Sequence, residues 1–400
     1  MYKLKNTCRC CGSCNLKEVL DLNSQPLANS YHLENDFLQE YPLKINVCQN
    51  CWHAQLSVVV DPDSMFKNYL YVSGTSQTLK DYFDYFYKFV IDRIPQGSNR
   101  VLDIACNDGS QLDVFKRNGW TTYGIDPAEN LYEISNAKGF TKIICNYFNE
   151  ESVSEINDSV DVIIAQNVFA HTDDVHDFLR CCKLISHDNT KIFIQTSQAN
   201  MFENNQFDTI YHEHLSFFCA KSMNECVKRC GLHLEDIVKT DIHGTSYVFV
   251  VSNSPVDSSN IYKTLEEEEN IGKHSIEFYK KFAENSIKVT SDLKKCLDLK
   301  RKEGYTIVGY GAAAKGMTLL NFGQINLDFI VDDNPLKHDL LTPGMNIPIK
   351  STDALKINKK MCIVPLAWNF YDEIISKVQA QRNNAEDVFV RYFPQLELSK

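Results

Sequence analysis

No run in this 400-residue chain approaches the ~18 consecutive apolar residues of a membrane span, so no spanning helix is expected. The opening Met1-Tyr2-Lys3-Leu4-Lys5 leads straight into cysteines, with no apolar stretch long enough for a signal peptide, and the expected compartment is the cytosol. A dense Lys/Arg stripe is missing too. With a net charge of −11, neither nucleic acid nor a membrane is an expected partner. The balance, 44% hydrophobic and 23% charged, is that of a soluble globular protein, long enough for two or three domains.

Cysteine, by contrast, is plentiful: 15 in all, six of them within the first 51 residues. Scattered cysteines in a cytosolic chain read as small buried hydrophobes, clustered ones as a metal site. Cys8-Arg9-Cys10-Cys11-Gly12 and Cys48-Gln49-Asn50-Cys51 form two Cys-x2-Cys knuckles separated by 36 residues. Such knuckles close a tetrahedral zinc site, with Cys8, Cys11, Cys48 and Cys51 as the expected ligands. Cys10 and Cys14 are spare, and a register using Cys11 and Cys14 stays open. Four thiolates leave no position for water, so the zinc of this module (residues 1–58) is expected to be structural.

Residues 59–255 change character. An aromatic-rich helical pattern from Met65 to Ile91, interrupted at Ser73-Gly74-Thr75-Ser76, reads as core packing, with Tyr69 and Tyr71 placed beside the break. Val101-Leu102-Asp103-Ile104-Ala105 is a buried strand, Cys106-Asn107-Asp108-Gly109-Ser110 its turn, and Thr121 to Asp126 a second strand ending in a carboxylate. An acid on the first strand, a small-residue turn and an acid closing the second strand form an S-adenosylmethionine pattern. Asp126 would accept from the ribose hydroxyls, while Asp103, Asn107 and Gly109 shape the turn. A pyrophosphate loop needs more glycine than Gly109 alone, which disfavours NAD here. Val160 to Ala165 is the next strand; it delivers Asn167 and His171 to the crevice end of the sheet, unless His171 merely caps the following helix. Strands at Lys191–Gln195 and Tyr247–Val251 complete the sheet.

The proton-handling chemistry concentrates in Phe207-Asp208-Thr209-Ile210-Tyr211-His212-Glu213-His214-Leu215, which sets a phenol, two imidazoles and a carboxylate side by side. Histidine acts as base and then as acid near neutral pH without large tuning. A polar loop, or two metal-binding histidines two residues apart, are the alternatives.

These stretches together, in this order, resemble the nucleotide-sugar C-methyltransferases, whose type example methylates carbon 3 of a TDP-4-keto-deoxysugar. The resemblance runs from Cys8 through the C-terminal domain. It implies an α/β fold: a class I S-adenosylmethionine-dependent methyltransferase domain of Rossmann-like form, a small zinc module and a smaller C-terminal Rossmann-like lobe. It also implies that Tyr211, Glu213 and His214 line the reacting sugar, joined by His171 and by a tyrosine near the Ser-Gly-Thr-Ser break, here Tyr71. His214 would remove the proton beside the ketone, and Tyr211 or His171 would donate to the developing oxyanion. The carbanion would then displace the methyl group from sulfonium, zinc taking no part. Two departures stand out. Gln195 replaces the glutamate that ends that strand in the family, and no arginine follows His243-Gly244-Thr245-Ser246.

Residues 256–400 open with a linker and a charged helical stretch, Ile261 to Glu303, in which Glu266 to Glu269 read as a solvated face. Tyr305–Val308 is then a strand, and Gly309-Tyr310-Gly311-Ala312-Ala313-Ala314-Lys315-Gly316 a second nucleotide-type turn whose amides and Lys315 suit phosphate. The resemblance implies that this lobe closes over the sugar nucleotide, with Gly309, Gly311, Lys315, Asp332, Trp368 and Asn369 against the substrate. Two other readings compete: an NAD-dependent oxidoreductase or epimerase working through this lobe, and a non-catalytic binding relative. The intact Tyr211-to-His214 run argues against the latter.

Overall fold

Alternating and continuous apolar segments pair into three main sheets and one small ladder. The computed structural model describes all residues except 1, 35, 70, 71, 76, 198, 257, 358 and 383–385. In the first sixty residues lie β1 (Tyr2–Leu4), β2 (Leu16–Pro26), β3 (Glu40–Cys48), β4 (Ala54–Leu56) and β5 (Val58–Val60). β1 pairs with β5, and β2 and β3, which lie between the two cysteine knuckles, form an antiparallel sheet with β4, which follows the second.

The central sheet contains β6 (Arg100–Ile104), β7 (Thr121–Ile125), β8 (Lys142–Ile144), β9 (Val160–Gln166) and β10 (Ser186–Thr196), all parallel. After the two-residue strand β11 (Ser216–Phe217) come β12 (His233–Thr240) and β13 (Ser246–Ser252), and β13 inserts antiparallel between β10 and β12. The order β12-β13-β10-β9-β6-β7-β8 puts the chain reversal between β6 and β9. Ligands of open α/β sheets bind at such a switch point, outside the strand carboxyl ends. The break expected within the Met65–Ile91 pattern is present: Asp63–Phe66 and Gln77–Ile91 are separate helices, with the 3-10 turn Ser73–Thr75 before the second. The longer helix buries Phe83, Phe86 and Phe89, as core packing requires.

The C-terminal lobe has β14 (Thr306–Tyr310), β15 (Phe329–Val331), β16 (Ile349–Lys350), β17 (Met361–Pro365), β18 (Val388–Arg391) and β19 (Glu397–Ser399). They lie in the order β16-β15-β14-β17-β18-β19, with only β19 antiparallel, and the switch point falls between β14 and β17.

The segment between β10 and β12 decides how these units meet. β11 leaves the central sheet and pairs with β4 at the edge of the N-terminal sheet. One apolar cluster joins Leu20, Ile45 and Leu56 of the first module, Phe207, Ile210 and Phe217 of this segment, and Leu319, Leu366 and Phe393 of the C-terminal lobe. Fully burying one such side chain contributes ~1.5–3 kcal/mol, so the segment is wedged in place by two neighbours at once.

The solvated face expected at Glu266–Glu269 needs correction at one position. Glu268 is 2% exposed: it accepts from the Ala220 amide at 2.8 Å and lies 3.4 Å from His274 and 4.0 Å from the buried Lys273. The charged stretch is two helices, Ser259–Asn270 and Ile276–Lys302, and this ion cluster sits at their junction.

Candidate active site

The turn after β6 is built from unusual backbone. Ala105, Asn107 and Gly109 all have positive φ (60°, 53° and 77°), a region that costs non-glycine residues energy. At Gly109 a Cβ would also stand 2.5 Å from the Phe140 ring. The turn is held by Asp126 at the end of β7, which accepts from the Asn107 and Ala128 amides at 2.8 Å each. Ser73 closes over it, its amide donating to Asn107 Oδ1 at 2.9 Å. Asp103 lies beneath, buried, its acid strength weakened by burial and then by Asp126 and Asp108. Asn167, also at positive φ (56°), begins the loop after β9, and its Oδ1 is buried without a hydrogen-bond partner. An acceptor pair at Asp126, a close-approach turn and an unmet acceptor at Asn167 fit a ligand rich in hydroxyl and amino donors, as S-adenosylmethionine is.

On the same side of the sheet, the run at 207–215 divides its polar groups between neighbours. The His214 Nδ1–H donates to the Thr209 carbonyl at 2.7 Å. A carbonyl can only accept, so the neutral ring carries its basic lone pair on Nε2. Its ring centroid lies 4.1 Å from that of Tyr211 and 5.1 Å from that of His171. His171 stacks on Phe66 at 5.6 Å, and burial lowers its pKa to about 4, so it is neutral at pH 7. The helix after it is capped by Asp174, which accepts from the Asp177 amide, and His171 is not the cap. His212 turns the other way and donates to the Tyr41 carbonyl of β3 at 3.3 Å. Glu213 accepts from Asn29 Nδ2 at 2.6 Å, and burial raises its pKa to about 7. Tyr71 lies outside the described residues.

The C-terminal lobe faces this run across the end of its own sheet. Gly311 at φ 85° opens the turn, and Asp332, closing β15, accepts from the Ala312 amide at 2.6 Å. Gly309 does not join the turn face. It sits inside β14, where a Cβ would meet Ile330, Leu327 and Leu366 at 2.8 to 3.0 Å, so its small size serves packing. Lys315, in the first turn of the helix Ala314–Gly323, places its ammonium 4.5 Å above the Trp368 ring. The Trp368 indole N–H in turn donates to Asp208 Oδ2 at 2.7 Å. Asn369 follows on the same half-buried turn. An arm after β2 completes the crevice: the Tyr31 hydroxyl donates to the Ala312 carbonyl at 2.5 Å, and the Lys337 ammonium to the same carbonyl at 2.7 Å. Asn29, Tyr31 and Lys337 carry no motif at their positions; Asp208, inside the Phe207–Leu215 run, stood where sequence could have flagged it.

Gln195, expected to mark a departure, is fully buried. It accepts from the Tyr82 hydroxyl at 2.7 Å and donates to Ser246 Oγ at 3.5 Å, while that hydroxyl donates to the Ile242 carbonyl at 3.0 Å. Val248, where an arginine was missed, is core.

The sulfurs of Cys8, Cys11, Cys48 and Cys51 all lie within 4.8 Å of one another, which settles the register against Cys14. The Cys11 and Asn50 amides point at the Cys8 and Cys48 sulfurs at 3.5 and 3.4 Å. Four thiols so grouped fit a structural zinc ion, which they would hold without leaving a place for water. The module it organises touches both histidine-bearing segments. Arg9 donates to Asp173, two residues past His171, at 3.0 Å, and the Leu56 amide donates to the Leu215 carbonyl at 3.0 Å.

Family profiles match in chain order: a zinc binding domain over residues 8–66, a methyltransferase domain over 77–237 and a C-methyltransferase C-terminal domain over 241–394. Site and fold thus define an S-adenosylmethionine-dependent methyltransferase that also carries zinc. In all three parts the chain fits the C-methyltransferase family. It is 29% identical over 381 residues to C-methyltransferase NovU of Streptomyces niveus, covering 92% of this chain and 91% of that one. The ubiquinone biosynthesis O-methyltransferase of Rattus norvegicus is 27% identical over 111 residues, 26% of this chain and 32% of that protein. Among solved structures, magnesium protoporphyrin IX methyltransferase of Synechocystis PCC 6803 aligns with TM-score 0.36 and 11% identity, over 44% of this chain and 83% of that one. Among the described residues no helix is long and apolar enough to cross a membrane.

Proposed function

We propose that the enzyme methylates a carbon beside the ketone of a nucleotide-linked keto-deoxysugar, of the TDP-4-keto class at carbon 3, with His214 as the base. The observation that carries this reading is the His214 ring, its Nδ1–H held by the Thr209 carbonyl and its faces bordered by Tyr211 and His171. In that setting Nε2 receives the proton, and the imidazolium so formed keeps its bond to the carbonyl. The Tyr211 hydroxyl or the neutral His171 donates to the enolate oxygen, which makes the carbon acid accessible near pH 7. Asp103, Asn107, Gly109, Asp126 and Asn167 would hold S-adenosylmethionine, which when bound supplies the electrophilic methyl group. Gly311, Lys315, Asp332, Trp368 and Asn369 would take the nucleotide end, leaving the sugar directed at His214. The units 1–58, 59–255 and 256–400 then serve as scaffold, donor domain and nucleotide lobe.

The test is methyl transfer from labelled S-adenosylmethionine to a panel of TDP-, GDP- and CDP-keto-sugars, read by mass spectrometry. His214→Asn is expected to bind S-adenosylhomocysteine normally and to lose ~100- to 10,000-fold in turnover. Near-normal turnover would move the base to Tyr211 or His171, and transfer to none of the keto-sugars would remove the substrate assignment.

A further inference from the structure

The 3-10 turn Phe207–Thr209, which opens the proposed catalytic run, is fastened less to its own domain than to the C-terminal lobe. The Phe207 ring packs edge-on against Phe322 and Phe393, at 5.7 and 5.9 Å between centroids. The Thr318 hydroxyl donates to the Ile210 carbonyl at 3.0 Å, and Trp368 holds the Asp208 carboxylate. Between these anchors lies the Thr209 carbonyl that receives the Nδ1–H of His214. The tautomer of the base is therefore set by backbone that another lobe positions.

Asp208 is the charged member of this joint, with 0% of its surface exposed. Its Oδ2 takes the indole N–H, while Oδ1 makes no hydrogen bond of good geometry. Burial lifts its pKa to about 6, opposed first by the Lys315 charge and then by Trp368 and the Asp208 and Thr209 amides. Lys315 is the ammonium at the N-terminus of the helix Ala314–Gly323, the end of a helix to which an anion is drawn. An anion reaching that turn competes with Asp208 for the same cation.

We infer that Asp208 is a positioning residue: through Trp368 and Lys315 it links the anion-binding turn of the C-terminal lobe to the backbone that presents the Thr209 carbonyl to His214. Diphosphate binding in one lobe then orders the base in the other. This rests on the proposed roles of Lys315 and His214.

Asp208→Asn and Trp368→Phe in the full chain test it, with TDP alone as the probe. Asp208→Asn keeps an acceptor for the indole and removes the charge; Trp368→Phe keeps an aromatic ring near Lys315 and removes the N–H donor. In wild type, TDP should slow amide hydrogen exchange across residues 207–215. Asp208→Asn should still bind TDP and S-adenosylhomocysteine yet lose that protection, and Trp368→Phe, assayed at a TDP concentration that saturates it, should lose it too. With an accepted keto-sugar, kcat and the wash-out of deuterium from the carbon beside the ketone should fall together in Asp208→Asn by about 10- to 100-fold, the scale of a small misplacement of a reacting group, with KM little changed. Protection by TDP that survives in both variants overturns the proposal. So does a loss confined to KM, or a wild type whose 207–215 amides ignore bound TDP. Failure of every keto-sugar as substrate, with TDP protection intact and variant-sensitive, would instead sink the substrate reading and leave the linkage standing.

Discussion

Glu213 sits 5% exposed between Asn29 and the rest of the run, with a pKa of about 7 against an ordinary 4.5. A carboxyl whose folded pKa is raised contributes stability that is fully present below about 4.5 and lost as pH climbs through about 7. The loss approaches ~3 kcal/mol at ~1.4 kcal/mol per pKa unit. Glu213→Gln should therefore gain in melting temperature on wild type as pH rises from 5 to 8; a difference that stays flat from pH 5 to 8 would show the carboxyl to be unshifted. The chemistry-bearing residues of this run were legible because three polar types crowd into four positions. Their partners were not. Asn29 lies 184 residues from Glu213, and nothing around Pro26–Tyr31 marks an arm that will cross a crevice.

At the scale of elements, the zinc module grips the active site twice, through Arg9 on the His171 loop and through β4 on β11. Arg9 is buried, and besides Asp173 its guanidinium donates to the Leu56 carbonyl at 2.9 Å, so the knuckle, the sheet edge and the loop share one cation. Zinc removal by a chelator, or Cys48→Ser, should raise amide exchange at 171–176 and at 207–217 before the central strands β6, β9 and β10 open. Uniform loosening of the whole chain would mean that zinc supports only global stability. The two-residue β11 could not be read ahead: too short for periodicity, it exists because β4 leaves an edge to pair. The strands β6, β7, β9, β10, β13 and β14 were legible, each a short apolar run, whereas β8, β12, β16, β18 and β19 towards the sheet margins were not. The Glu266–Glu269 face failed at Glu268 because helical charge patterning cannot see Lys273 and His274 folding back from the turn that follows the helix.

For the molecule as a whole, two ligand sites on two sheets should stabilise it separately. A ligand at a hundred times its Kd adds ~2.7 kcal/mol. Lys315→Met should erase the melting shift caused by TDP and keep the shift caused by S-adenosylhomocysteine. If both shifts vanished, Lys315 would be a structural cation, and if both survived, the nucleotide would sit elsewhere. The three-part organisation was legible in chain order, from cysteine knuckles to one nucleotide turn and then another. How the parts share residues was not, because an apolar side chain in sequence does not say which core it enters. Phe207 and Ile210 lie between strands of the central sheet yet pack with Leu20 and Phe393. For anyone recombining such enzymes, that shared core limits where chains can be cut. A junction near 255 separates the central sheet from the nucleotide lobe but leaves 199–219 fitted to the donor parent's lobe. A chimera with a foreign lobe would need the matching 199–219 segment, and with it the first module whose sheet that segment completes.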